Sequence, residues 1–403
     1  MATQPGRTEA ADIGPGRIVL LCAALLFVSG FALQSLSFAL PALERAWALD
    51  TRMLGVLLSA TMLGQMAGYL VLAPLADALG PRWPAAAGCL ALAATLALSA
   101  MATSVEIMLV TRALSGLAIG AAIPAAVAAA STAGSARWQA GRVIIVYTAF
   151  PLGFVAVAII NGSIAPPLQW RTTFALGAAC ALLLAPWLWH TLPRRRAAVT
   201  RPAPFAAVTA VLRDDRTVTM LLWGVFSVGL GLFYVLQGWM PVLIQRAGQP
   251  FETAAMATAM FGIGASLAAV PAIVATRHIG LLPALIAVGV LTLLGIVALA
   301  LSLDAGNAAL IVATALIAGT GVGGIQKVAV ATATSLYPAA ARATGLALAL
   351  GVGRISAVCS PVLIGLAASA LLPGSTILLL AVPVAAMVAA LAWFRRHRDP
   401  CGI

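Results

Sequence analysis

Acidic side chains are scarce in this chain, with 11 Asp and Glu among 403 residues against 23 Lys and Arg. All eleven read as loop or helix-end residues, so none falls inside a long apolar run. Charge of both signs makes up only 8% of the sequence, where a soluble domain carries about 25%. Histidine is equally thin: His190, His278 and His397 sit at the margins of apolar runs or in the C-terminal tail. No Ser/His/Asp set can converge from such positions, and there is neither a Walker A loop nor a metal-ligand spacing. An enzyme is therefore not expected, and neither is a cofactor. Of the five cysteines, Cys22, Cys89, Cys180 and Cys359 lie within apolar runs and read as small buried hydrophobes.

What the chain has in quantity is apolar length. It is 62% hydrophobic with a mean hydropathy of +1.06. Crossing the hydrocarbon takes about 20 apolar residues. Twelve such stretches occur, near 18–40, 53–76, 84–102, 106–131, 141–165, 172–191, 218–244, 253–275, 280–302, 308–336, 343–371 and 375–394. Backbone polar groups in lipid must be satisfied internally, which leaves helices or a closed barrel. Barrel strands are short and alternate, so runs this long and uniform exclude them. The expected fold is an all-α membrane protein of twelve transmembrane helices.

The net charge of +12 suggests nucleic acid until its placement is considered. With the N-terminus inside, sixteen of the 23 cations fall at cytoplasmic ends of the runs. Four fall outside (Arg45, Arg52, Arg171 and Arg246), and Arg112, Lys327 and Arg354 lie within runs. This is the positive-inside asymmetry, and it predicts two cytoplasmic termini and no nucleic-acid partner. Residues 1–17 are polar and read as a tail, and the long run after them lacks a small-residue cleavage site, so it reads as a retained helix.

The main polar break, 192–217, is rich in Pro and Arg and divides the chain into six runs at 18–191 and six at 218–394, with a tail at 395–403. A faint internal repeat supports a duplication. Pro41 and Pro241 close the first and seventh runs, Gly80 and Gly280 follow the second and eighth, and Asp77 and Arg277 precede those glycines. All three pairs are 200 apart (241 − 41, 280 − 80, 277 − 77). Two pseudo-symmetric six-helix bundles follow. Gly116 and Gly120, and again Gly319 and Gly323, are spaced for close helix contact. Pro124, Pro151 and Pro361 fall inside runs, where proline bends a helix.

Lys327 and Arg354 stand out because no acid inside the membrane matches them. A charge in lipid costs about 2.5–3.5 kcal/mol on insertion scales, so such residues normally face a cavity and meet a partner. The partner expected here is the substrate, a small organic anion. The planar fork of Arg354, about eleven residues into its run, suits a carboxylate held through two hydrogen bonds. Lys327 can serve as a second anion partner or as a group that titrates during transport. Arg112 is open between an interhelical hydrogen-bonding role and a gate. Ser29, Gln34, Tyr147, Asn161, Tyr234, Gln237 and Gln326 are polar or aromatic candidates for completing the pocket. Tyr234 and Gln237, three apart, share a helix face.

Several motifs carry a family resemblance. Ala73-Pro-Leu-Ala-Asp77-Ala-Leu-Gly80-Pro-Arg82 resembles the loop after the second helix of the major facilitator superfamily, matching at Asp77, Gly80 and Arg82. Arg112-x-x-x-Gly116-x-x-x-Gly120 resembles its fourth helix. Trp170-Arg171-x-x-Phe174, Trp239-x-Pro241-x-Leu243 and Tyr337-Pro338-x-x-x-Arg342 followed by Gly353-Arg354 and Pro361 are similar to the aromatic acid:proton symporter family. The resemblance implies a latch at Asp77 and a cavity position for Arg354, with Arg82, Arg112 and Arg342 as gating or structural elements. It also marks a departure: the family's D-G-F/Y-D in the first helix is Ser29-Gly30-Phe31-Ala32 here, so both carboxylates are missing.

The expected function is a secondary or facilitated transporter of the inner membrane for a small organic anion. The resemblance points to an aromatic carboxylate and leaves any coupling ion open. Efflux of amphipathic compounds is the first rival, disfavoured by the missing cavity acid. A non-transporting receptor on a carrier scaffold is the second.

Overall fold

The structure, a computed structural model, describes residues 14–72, 80–135, 138–163, 169–193, 216–336 and 342–398. Every regular element among them is helical. The helices are α1 (Pro15–Trp47), α2 (Thr51–Ala67, continued by a π turn Gly68–Leu72), α3 (Arg82–Ala100), α4 (Val105–Thr132), α5 (Gln139–Ser163) and α6 (Gln169–Thr191). The second half has α7 (Arg216–Arg246), α8a (Phe251–Leu267) and α8b (Ala269–Ile279), α9 (Leu281–Asp304), α10 (Ala308–Leu336), α11 (Arg342–Ala370), and α12a (Pro373–Leu379) with α12b (Ala381–Arg398). Twelve spans among the described residues are long and apolar enough to cross a membrane.

Proline explains where these helices break. Pro271 and Pro383 have no N–H for the carbonyl four residues back, and the ring crowds that carbonyl. Those carbonyls belong to Leu267 and Leu379, the last residues of α8a and α12a. Pro41 and Pro241, by contrast, do not end their helices: α1 and α7 run on to Trp47 and Arg246. In both, a side chain four residues on donates to the proline's own carbonyl, Arg45 Nε to Pro41 O at 3.0 Å and Gln245 Nε2 to Pro241 O at 3.2 Å. Pro124, Pro151 and Pro361 lie inside unbroken helices.

The repeat runs deeper than three sequence pairs. The Leu49 N–H donates to Glu44 O and the Gln249 N–H to Ile244 O, the same helix-ending bond 200 residues apart (249 − 49). The residue that turns into the left-handed region is Ala48 (φ 50°) in the first copy and Gly248 (φ 79°) in the second. Gly80 and Gly280 likewise share positive φ, at 80° and 86°. Ser99 bonds Thr111 at 2.9 Å, and Ser302 bonds Thr314 at 3.1 Å, at a constant offset (302 − 99 and 314 − 111 are both 203).

By its contacts the chain forms two compact units. The first holds Met1–Ser35, Leu63–Gly153 and Pro166–Val199, and the second Leu36–Met62, Phe154–Ala165 and Thr200–Ile403. In the first unit, α3 packs on α4 and α6. A Cβ on Gly120 would stand 2.4 Å from Gln65 O, and one on Gly64 would stand 1.9 Å from Ala113 O, so α2 and α4 approach backbone to backbone. The second unit repeats the crossing between α8a and α10: a Cβ on Gly323 would stand 2.4 Å from Ala265 O, and one on Gly264 would stand 2.3 Å from Leu316 O.

Candidate functional site

In the first unit, Arg112 of α4 is fully buried. Thr111 and Ser115 share its helix, and Thr95 and Ser99 face it from α3. Its Nη2 donates to Ser99 Oγ at 2.6 Å and Ser115 Oγ at 2.9 Å, its Nη1 to Ala32 O of α1 at 3.4 Å, and its plane lies 4.7 Å from the centroid of Phe174 on α6. Arg112 therefore makes interhelical hydrogen bonds to hydroxyls and a carbonyl. Its Nε has no partner among the described residues. No carboxylate of the described residues takes part; hydroxyl dipoles and the ring quadrupole solvate the charge. The second copy keeps the hydroxyl pair but has Ala315 where Arg112 would repeat. The Trp170-Arg171-x-x-Phe174 motif gains a physical account here. Phe174 stacks on Arg112, and Arg171 caps α3 by donating to Ala100 O at 2.7 Å and Ala102 O at 3.1 Å.

In the second unit, Lys327 of α10 is half-buried and is the only lysine of the chain. Its ammonium donates to Ala265 O at 2.6 Å and, more weakly, to Gly323 O at 3.5 Å. Ala265 lies in the last turn of α8a, two residues before Leu267, whose carbonyl Pro271 leaves without its helical donor. A cation there complements the negative end of the helix dipole. The third N–H has no bond to a described residue. Next to it, Gln326 Nε2 donates to Gly229 O of α7 at 3.4 Å. The same stretch of α7 meets α11, where Ser360 Oγ donates to Gly231 O at 3.4 Å and a Cβ on Gly353 would stand 2.9 Å from Phe226 O.

Three helices carrying Gln326 and Lys327, Tyr234 and Gln237, and Arg354 therefore converge around Gly229–Gly231. Arg354 is half-buried on α11, and Tyr234 and Gln237 are buried on α7. The Tyr234 ring stands edge-on to Phe233 at 5.4 Å, and Phe233 lies 6.0 Å from both Phe154 and Phe261. This aromatic group was not singled out from sequence, since phenylalanines inside apolar runs carry no positional signal.

The remaining candidates are dispersed. Ser29 Oγ donates to Leu25 O at 2.7 Å and Asn161 Nδ2 to Val157 O at 2.9 Å, both back to their own helices. Gln34 is buried on α1, whereas Tyr147 on α5 is exposed. Ser29, Gln34 and Tyr147 belong to the first unit and Asn161 to the second. Arg82 donates to Trp189 O and lies over the Trp189 ring at 4.9 Å. Gly80 turns the chain into α3, and Gly116 is buried on α4. Asp77 and the Arg342 side chain lie outside the described residues.

Each described carboxylate stands at a helix end. Glu44, in the last turn of α1, pairs with Arg246 at the end of α7; Arg246 also donates to Thr51 Oγ1 at 2.8 Å and Ala368 O at 3.3 Å. Asp50 accepts from the Met53 N–H at the start of α2. Glu106 and Glu252 lie in first turns, and Asp304 is the last residue of α9.

Comparison with known proteins follows the same lines. The Major Facilitator Superfamily model matches residues 22–326. The 4-hydroxybenzoate transporter PcaK of Pseudomonas putida is 30% identical over 377 residues, covering 85% of this chain and 84% of that protein. The 3-(3-hydroxy-phenyl)propionate transporter of Escherichia coli (strain K12) is 31% identical over 397 residues, covering 94% and 95%. The gallate transporter of Pseudomonas putida is 28% identical over 410 residues, covering 93% and 90%. Among solved structures, the nucleoside transporter NupG aligns with a TM-score of 0.77 at 14% identity, covering 95% of this chain and 99% of that one. The xylose transporter XylE from E. coli aligns with a TM-score of 0.74 at 15% identity, covering 96% and 98%. At these identities the structural likeness is one of fold.

Proposed function

Since the chain belongs to the Major Facilitator Superfamily, and within it to the aromatic acid carriers, we propose that it is a secondary transporter of the inner membrane that carries a small aromatic carboxylate by alternating access. The relatives are named for 4-hydroxybenzoate, gallate and 3-(3-hydroxy-phenyl)propionate, three ring-bearing carboxylic acids.

The observation that carries the reading is electrostatic. Lys327 and Arg354 lie in spans of the second unit, while the described carboxylates stand at helix ends. An incoming carboxylate supplies the negative charge the spans lack. In this reading Arg354 clamps it through two parallel hydrogen bonds and Lys327 offers its third N–H. The Tyr234 and Phe233 rings offer a stacking surface for the substrate's ring, with Gln237 and Gln326 as polar partners. Ser29, Gln34, Tyr147 and Asn161 stay as further candidates for substrate binding. Asp77, Arg82, Arg112 and Arg342 serve as gating or structural elements, with Gly80, Gly116 and Gly120 allowing close turns and crossings.

The proposed organisation is two six-helix bundles, 18–191 and 218–394, joined by a cytoplasmic linker at 192–217. The tails at 1–17 and 395–403 are also cytoplasmic. The sixteen-to-four excess of cations at one set of helix ends supports that orientation.

Uptake of radiolabelled 4-hydroxybenzoate by the purified protein in proteoliposomes tests the reading. Arg354→Ala is expected to insert normally and to lose uptake by at least about tenfold, the loss of one charged hydrogen-bonding partner. Normal uptake in that variant would end the clamp assignment.

A further inference from the structure

We infer that a cleft in the first unit, at the end of the spans where α1 and α5 begin and α4 stops, holds the headgroup of an anionic phospholipid such as phosphatidylglycerol. Such a site needs the bilayer that the twelve spans imply and is independent of the cargo.

The cleft has a volume of about 450 Å³. Its walls include Pro15 and Val19 of α1, Gly134 and Ser135 after α4, and Trp138 and Ile145 around the start of α5, with Arg142 between them. Arg142 is only 9% exposed. Its Nε donates to Ala130 O at 3.0 Å, and its Nη2 to Ser131 O and Ser135 O, both at 3.0 Å. These bonds satisfy carbonyls at the end of α4 that lack helical donors. Nη1 donates to no described residue. A Cβ on Gly134 would stand 3.6 Å from Nη1 and 3.2 Å from Pro15 Cβ, so Nη1 borders the cleft. A guanidinium fixed by the protein on one edge offers the other to an oxyanion, and phosphate oxygens suit that geometry.

The surroundings select a headgroup of net negative charge. The first unit has one described carboxylate, Glu106, in the first turn of α4, and the cleft lies at the other end of that helix. The ammonium of a zwitterionic lipid therefore finds no described acid there. Arg17, one residue past Gly16 in the cleft wall, adds a second positive charge and lies over the Trp187 ring at 5.6 Å. Trp138 and Trp187 are both exposed, as befits tryptophans at headgroup level. Leu20, Ile144 and Ile145, further into the spans, are exposed and give acyl chains an apolar surface. Basic pockets between transmembrane helices take anionic headgroups in this way.

The test uses the full chain, purified and stripped of lipid in an uncharged detergent, with native mass spectrometry reading the bound lipid. Dimyristoyl phosphatidylglycerol is expected to bind at least about tenfold more tightly than dimyristoyl phosphatidylcholine, the worth of one charged hydrogen-bonding partner. Equal affinities overturn the site. Because Arg142 also caps α4, the deciding variant is Gly141→Asp, on the cleft wall. A Cβ there would meet only Trp138 Cε3, at 3.7 Å, and an acid in the first turn of α5 favours the helix. The added carboxylate repels the phosphate, and the preference for phosphatidylglycerol should fall at least about tenfold. Gly141→Asn, its uncharged counterpart, should keep the preference. An unchanged preference in Gly141→Asp would assign it to general attraction by the arginine-rich helix ends, and an equal loss in Gly141→Asn would assign it to space alone; either overturns the site. Inorganic phosphate at the lipid's concentration should not displace it, and displacement would make the occupant a soluble anion and overturn the lipid. Deletion of residues 2–12 should leave the preference unchanged. Tightening by about tenfold or more would make that segment the cleft's occupant and likewise overturn the lipid.

Discussion

At the scale of single residues, the unusual feature is cost without an acid to offset it. Arg112 is enclosed by hydroxyls, a carbonyl and a phenyl face. A buried charge in that setting contributes little to stability, and an apolar side chain of similar volume is often as stable. Arg112→Met is therefore expected to keep the thermal midpoint in detergent within about 1 kcal/mol of wild type while uptake falls. A large loss of stability with transport intact would reverse that assignment. Ala48 presents the opposite case, a backbone cost that glycine relieves. It holds φ 50° where its repeat counterpart is Gly248. Ala48→Gly should raise the thermal midpoint by the equivalent of about 0.5–1 kcal/mol, and a fall would show that the methyl group packs usefully. From sequence, Arg112 was visible as a cation in a span, but its hydroxyl cage was not. Thr95, Ser99 and Ser115 are spaced like any other small polar residues in apolar runs.

At the scale of elements, small residues decide how closely helices approach, and proline decides where they end. Gly323 on α10 faces Ala265 O, the carbonyl that also receives the Lys327 ammonium. Gly323→Val would push α10 from α8a and carry Lys327 with it. The expected result is a loss of roughly 1–3 kcal/mol in thermal stability together with weaker uptake. Wild-type behaviour of the variant would mean that the helix crossing has slack. The glycine spacing was legible in the sequence because a four-residue step puts both glycines on one face. The Pro271 and Pro383 breaks were not read from sequence, and the ends expected at Pro41 and Pro241 do not occur, since both helices run on. Proline ends α8a and α12a but is carried inside α1 and α7, and that difference is settled by folding. Trp239 is a further example: it donates to Pro361 O at 3.1 Å and so joins two motifs 122 residues apart in sequence.

At the scale of the whole molecule, the governing quantity is the distribution of charge along twelve apolar spans. The excess of arginine at one set of helix ends predicts that a C-terminal green fluorescent protein fusion is fluorescent and that a C-terminal alkaline phosphatase fusion is inactive. The opposite pair of results would invert the proposed orientation. The span count, the duplication and the superfamily were legible because they depend on run length, on breaks and on motifs repeated or matched along the chain. Of the candidate site, Lys327 and Arg354 stood out in the sequence because a charge inside an apolar run is conspicuous wherever the run folds, whereas Tyr234, Gln237 and Gln326 were named alongside polar residues that lie elsewhere.

The sequence alone determined that the chain is a twelve-span helical carrier with cations but no acids in its spans, since hydropathy and charge belong to each residue before any contact forms. The tertiary structure decided how those cations are held. It placed the Lys327 ammonium on the carbonyl end of a proline-broken helix and the Arg112 guanidinium in a nest of hydroxyls. It also brought Gln326 and the α11 helix of Arg354 against Gly229–Gly231 of α7. Hydrogen-bond partners distant in sequence depend on how helices cross, and close packing of small residues fixes those crossings only once the chain has folded.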